Sequence, residues 1–184
     1  VSTYDNYHEL LTDPFVDVVV LTTPNHTHAG ILEDVLATNR HVLIEKPLCT
    51  TVDDARRIRD LAAGRDAITW MGLQYRYIPT PAALLEQLRA GVCGTTHMVS
   101  IREHRFPFLA KVGNWNRFNA NTGGTLVEKC CHFFDLMHLA AGAHPVRVMA
   151  SGGQDVNHLD EVYDGQVPDI LDNAFAVVDY HGGA

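Results

Sequence analysis

Apolar and polar positions follow three rhythms along the chain, and each predicts a different element. Residues 16–22 hold a nearly continuous apolar run with Val18–Leu21 at its centre, stopped by Thr-Pro-Asn. A run without alternation predicts a strand buried on both faces, as in a parallel sheet. Residues 27–38 set Ile31, Val35 and Leu36 at helical spacing, and Asn39 is the expected stop before a second strand, His41–Ile44. Thr50 or Thr51 then caps the helix VDDARRIRDLAA, with Asp53 and Asp54 in the first turn where the helix dipole favours them. A third strand follows in AITWMGL, and upstream Asp5 is expected to cap a short helix ending near Thr12. Strand, helix, strand, helix, strand is the order of a doubly wound sheet.

After Gln74 the pattern changes. A helix over TPAALLEQLRAG, stopped by Gly91, leads to an expected strand near residues 95–104 and a long loop rich in Asn and aromatics. A helix from about Gly124 follows, and then PVRVMAS and DNAFAVVDY alternate like antiparallel strands with one face covered. The expected division places residues 1–73 in a parallel-sheet unit and 74–184 in a second α/β unit.

The 184 residues, 46% hydrophobic and 20% charged, suffice for a real core. The formal net charge is -8, and Arg56, Arg57 and Arg59 sit beside Asp53, Asp54 and Asp60, which reads as a solvated helix face and not as a nucleic-acid patch. No apolar run approaches the about 18 residues that a membrane-spanning helix needs. Cys49, Cys93, Cys130 and Cys131 show no CxxC spacing, and with no leader visible the expectation is reduced thiols in a cytoplasmic protein.

Two stretches carry candidate chemistry. In HVLIEKPL, Glu45 and Lys46 follow the second strand, and in an open parallel sheet ligands bind beyond the carboxyl ends of the strands. Thr22–His28 falls on the same rim. Lys46 is therefore either a ligand-side cation, aimed by the restricted backbone of Pro47, or a strand end reaching water. In GGTLVEKCCHFFDL, winding at helical pitch sets Glu128, His132 and Asp135 on one stripe, opposite an apolar stripe of Leu126, Cys130, Phe133 and Met137. A carboxylate beside an imidazole is what a general base requires, and it is also an ordinary surface pairing. Adding His26 and His28 would make a metal set, but no HExxH-type spacing supports one, so no metal is expected. RFPFLAKVGNWNRFNANTGG either covers a flat ring or sugar or packs as a loop, and Gly123–Gly124 allow close approach or a tight turn.

Taken in order, VDVVVLTTPNHTH, HVLIEKPL, GLQYRY, GGTLVEKCCHFFD and LDN before a strand resemble the Gfo/Idh/MocA family of nicotinamide-dependent oxidoreductases. The specific part is EKP with GGxxxExxxHxxD in register. The resemblance implies a partial Rossmann-type parallel sheet followed by an α/β domain with an open, mostly antiparallel sheet. It implies NAD or NADP as cofactor, a cyclic polyol or sugar such as myo-inositol as substrate, and a homo-oligomer, with no membrane or nucleic-acid partner.

Residue by residue, the resemblance makes Lys46 the cation at the reacting oxygen, His132 the base and Glu128 the acidic residue that positions substrate and histidine. Thr23, Pro24, Asn25 and His28 match the loop beside the cofactor, Glu45 accompanies Lys46, and Arg76 and Trp115 match positions near cofactor or substrate. Asp135 is expected to hold the helix, while Lys129 has no assigned role. No GxGxxG occurs in the sequence. The expectation is therefore a partial protein, inactive alone, lacking on the order of 60 upstream residues at about 30 per βαβ unit, with its second sheet continuing past YHGGA. Alternative readings are a redox-assisted glycosidase of the same superfamily, a non-catalytic sugar-sensing protein on this fold, and a Schiff-base lyase using Lys46.

Overall fold

A computed structural model describes residues 2–182. Helix α1 (Tyr7–Thr12) leads into a parallel sheet in which β1 (Val18–Leu21), β2 (His41–Glu45) and β3 (Thr69–Gly72) lie side by side in that order. Helix α2 (His28–Leu36), entered through a 3₁₀ turn at Asn25–Thr27, and helix α3 (Val52–Ala62) make the two crossovers. Thr51 caps α3 by accepting from the Asp54 N–H at 3.2 Å. The cap of α1 is Asn6 and not the expected Asp5; its side-chain oxygen accepts from the Glu9 N–H at 3.1 Å.

Two crossovers that step the same way along a sheet lay both helices on one face. Leu32, Val35 and Leu36 of α2 and Ile58 of α3 accordingly bury Leu21, Val42 and Ile44, and Cys49 closes the cluster. The other face is open among the described residues. Val20, Leu43 and Trp70 share one row across the three strands and are 59%, 40% and 50% exposed. This corrects the expectation of a strand buried on both faces: apolar continuity in β1 reflects two apolar faces, of which the described residues cover one.

Beyond β3, a 3₁₀ turn at Gln74–Tyr77 leads to α4 (Pro79–Arg89), and Gly91 follows in the left-handed conformation. Residues 95–104 form no strand, a second correction. β4 (Pro145–Gly153) and β5 (Asn173–Tyr180) pair antiparallel with each other, and a strand needs a neighbour to satisfy its ladder. The connection between them is gathered by Asp172, whose carboxylate accepts from the N–H groups of Val156 and Asn157, both at 2.7 Å. The expected continuation of this sheet past YHGGA lies outside the described residues.

A short helix α5 (Asn119–Thr122) precedes Gly124, and the expected helix from Gly124 is two pieces, α6 (Thr125–Glu128) and α7 (Cys131–Ala141). The Cys130 N–H reaches back to the Thr125 carbonyl at 3.3 Å and the helical ladder restarts at Cys131. Glu128 and His132 therefore sit on different helices. No helix of the described residues is long and apolar enough to cross a membrane.

Candidate active site

The carboxyl ends of all three parallel strands meet the α5–α7 segment. After β1, Asn25 is buried and donates from its side-chain amide to the Thr122 carbonyl at 3.4 Å. After β2, the Lys46 ammonium donates to the Glu128 carbonyl at 2.8 Å. After β3, the Tyr75 ring stacks on His132 with centroids 4.1 Å apart and an interplanar angle of 7°. Gly123 closes the junction, so near Thr50 that a Cβ there would lie 2.8 Å from the Thr50 carbonyl oxygen.

His28 ties the first two loops together. Its ring is fully buried, with Nδ1 2.9 Å from the Pro47 carbonyl and Nε2 3.0 Å from the Thr23 carbonyl. The Lys46–Pro47 peptide is cis. Glu45 is exposed and accepts the Lys46 main-chain N–H at 3.1 Å, while Thr23 is exposed and Pro24 half-buried on the rim.

Charge at the site follows from burial. Glu128 is 6% exposed, and burial pushes its carboxyl above the ordinary value against the pull of Lys46, Lys111 and Arg105. His132 is 2% exposed; burial first, then the positive charges of Lys46 and Lys129, lower it to about 4 against the opposing Asp135. The imidazole is thus neutral near pH 7. Its Nδ1 is buried without a hydrogen-bond partner among the described residues. Burial pushes the thiols of Cys130 and Cys131 upward, away from the thiolate that a cysteine nucleophile needs.

Two further sequence candidates stand differently. Arg76 is held by Asp135 through both carboxylate oxygens, the Nε bond being 2.7 Å. That pair anchors the turn after β3 to α7. Trp115 is half-buried, edge-on to His26 at 6.2 Å between centroids, with Lys111 5.4 Å from its ring. The aromatic loop is packed at its far end, where buried Arg117 donates to Glu161 at 2.7 Å, and exposed at Phe106, Leu109 and Val112. Among the described residues no group of three or more His, Cys, Asp or Glu is arranged to hold a metal.

Sequence reasoning left Tyr75 and Lys129 without roles, although both lie against the site. Lys129 donates to the Tyr75 hydroxyl at 2.6 Å. Nothing in spacing couples positions 54 apart, so no sequence signal could have paired them.

The residues present suit the nicotinamide end of a dinucleotide: a rim of strand-end loops, a cation held at its edge, and a buried imidazole with an unpartnered nitrogen. The sequence contains no glycine-rich GxGxxG turn to cradle a pyrophosphate.

A three-stranded parallel sheet with this rim, followed by an antiparallel pair, defines a Rossmann-type α/β oxidoreductase fold. The chain belongs to the Gfo/Idh/MocA family. Residues 1–73 match the oxidoreductase family's NAD-binding Rossmann fold and residues 85–184 its C-terminal alpha/beta domain. Among curated relatives, the rhizopine catabolism protein MocA of Rhizobium meliloti is 28% identical over 145 residues, covering 79% of this chain and 44% of that protein. The myo-inositol 2-dehydrogenase of Thermotoga maritima is 27% identical over 183 residues, covering 98% of this chain and 51% of that protein. The chain thus spans about half the length of these relatives. A solved levoglucosan dehydrogenase, in complex with NADH and levoglucosan, superposes with a TM-score of 0.76 at 20% identity over 98% of this chain and 49% of its own. That likeness concerns the fold.

Proposed function

We propose that the protein is an NAD(P)-dependent dehydrogenase that oxidises a hydroxyl of a cyclic polyol or sugar, myo-inositol being the first substrate to try. The observation that carries this reading is the convergence of the three strand-end loops on α5–α7, with the Lys46 ammonium tied to Glu128 and His132 seated against Tyr75. The family match to an NAD-binding Rossmann fold supports the cofactor, and the relatedness to an inositol dehydrogenase supports the substrate class.

Bound NAD or NADP supplies the hydride acceptor. The chain's own groups handle the oxygen and its proton. The Lys46 ammonium lies beside the alcohol oxygen and stabilises negative charge developing there. His132, neutral because it is buried, accepts the hydroxyl proton; with Nδ1 shielded from water, Nε2 is the nitrogen left for that transfer. Glu128 accepts a hydrogen bond from a second substrate hydroxyl and so orients the ring. Thr23, Pro24, Asn25, Glu45, Arg76 and Trp115 belong to the cofactor side, His28 holding the loops that carry the first four.

This reading divides the chain at residues 73 and 74 into a dinucleotide unit and a substrate unit. It takes the exposed apolar side chains of β4–β5, among them Val146, Val148, Phe175 and Val177, as support for a homo-oligomer. The test, run on this sequence joined to an upstream segment that carries a glycine-rich turn, is nicotinamide fluorescence for NADH and NADPH binding, paired with NAD reduction in the presence of myo-inositol. Binding with His132-dependent turnover is the expected result; turnover unchanged in His132→Ala would sink the base assignment.

A further inference from the structure

Lys129 is a charged residue of the site that this mechanism does not use. It lies between α6 and α7 with its side chain 14% exposed. Its ammonium is 4.8 Å from the centre of the Tyr75 ring and 5.5 Å from that of Phe133, and it donates to the Tyr75 hydroxyl at 2.6 Å. Its nearest carboxylate is Glu103 at 3.4 Å, itself partly exposed. Removing an ammonium from water costs free energy that an apolar side chain in the same place would not incur. Tyr75 is also the residue stacked flat on His132.

We propose that Lys129 is a positioning residue for His132, acting through Tyr75: the ammonium fixes the phenol, and the phenol ring fixes the plane of the imidazole. The inference rests on the reading of His132 as the base. A flat stack constrains tilt but leaves the two rings free to slide, and the hydrogen bond at the hydroxyl removes that freedom. The charge has a second effect. His132 is faced by Lys46 from the turn after β2, by Lys129 from the α6–α7 turn, by Asp135 from its own helix and by Tyr75 from the turn after β3. Two cations against one carboxylate, which Arg76 already engages, favour the unprotonated ring.

The test is an NMR titration of the His132 imidazole in the full chain, for the parent protein and for Lys129→Met, Lys129→Arg and Tyr75→Phe. Lys129→Met is expected to raise the titration midpoint by about one pH unit and to weaken the upfield ring-current shift that Tyr75 imposes on the imidazole protons. Lys129→Arg, which keeps charge and donor, is expected to restore both. Tyr75→Phe keeps the ring and loses the tie, so it weakens the ring-current shift while leaving the charge in place. An unchanged midpoint and ring-current shift in a folded Lys129→Met overturns the proposal; if that variant fails to fold, an unchanged ring-current shift in Tyr75→Phe does so. Turnover of His132→Ala decides the base assignment separately. A failed base assignment and a failed Lys129 role therefore give different results.

Discussion

Lys46 and Glu128, 82 positions apart, are joined by a hydrogen bond of 2.8 Å from the ammonium to the main-chain oxygen. The bond fixes the cation by a backbone group, so its placement does not depend on the protonation of the Glu128 carboxyl. Lys46→Met is expected to lower turnover by about 10²–10⁴-fold, the range for a group acting on charge or protons in the transition state. Lys46→Arg is expected to recover little, because a planar guanidinium does not place a point charge where the ammonium sits. Thermal unfolding within a few degrees of the parent, alongside the turnover assay, separates lost chemistry from lost fold.

His28 is predicted to matter without touching substrate. Its ring fills the space between the Thr23 and Pro47 carbonyls, and His28→Ala leaves a cavity there and removes the N–H that bonds one of them. The expected cost is about 2–4 kcal/mol, combining the lost bond with the void. Urea denaturation measures it. Turnover of the folded fraction should fall as well, since Pro47 neighbours Lys46. A loss below about 0.5 kcal/mol, the range of a neutral surface change, would contradict the clamp.

The parallel half of the fold was legible because its signals are local. Val18–Leu21, His41–Glu45 and Thr69–Gly72 are apolar runs bounded by turns, and Thr51 caps α3 with a short-range bond. What was not legible depends on partners. Residues 95–104 have strand-like composition but, among the described residues, no neighbouring strand to pair with. Helical periodicity ran through Lys129 and Cys130 unbroken, while the structure breaks there, and Lys129 turns its ammonium to Tyr75. Lys46, Glu128 and His132 were named from motifs, but the contacts that hold them, to a carbonyl in one case and an aromatic ring in another, are tertiary.

Gly123 and Gly142 offer a paired comparison. Both have positive φ, +77° and +62°, but a Cβ at Gly142 meets nothing within 4 Å whereas one at Gly123 meets the Thr50 oxygen at 2.8 Å and Val127 Cγ1 at 2.9 Å. Gly142→Ala should cost only the left-handed backbone penalty, about 1–2 kcal/mol. Gly123→Ala adds a clash with rigid backbone and should cost at least about 1 kcal/mol more, with turnover impaired through displacement of the Thr50 turn that leads from the Lys46 loop into α3. Equal losses in the two variants, measured by denaturation, would show that the α5–α6 turn does not press on the rim.

Acid should destabilise the fold through His132. Its folded-state value is about 4 against an ordinary 6.5, so between these values the unfolded chain binds a proton that the folded chain refuses. Stability from this group is fully present above about pH 6.5 and is lost as pH falls to about 4, a change of about 3 kcal/mol at most. Glu128, raised by burial, acts in the opposite sense: the folded chain holds its proton to higher pH, so ionising it subtracts stability as pH rises. The expected profile of unfolding free energy therefore slopes upward from pH 4 to 6.5. His132→Asn should flatten that slope and Glu128→Gln should steepen it. Catalysis follows the same group, since an imidazole still neutral at pH 5.5 keeps turnover from falling with the midpoint of an ordinary histidine. An acid limb centred near pH 6.5, in both stability and turnover, would mean that His132 is in contact with water in the working protein.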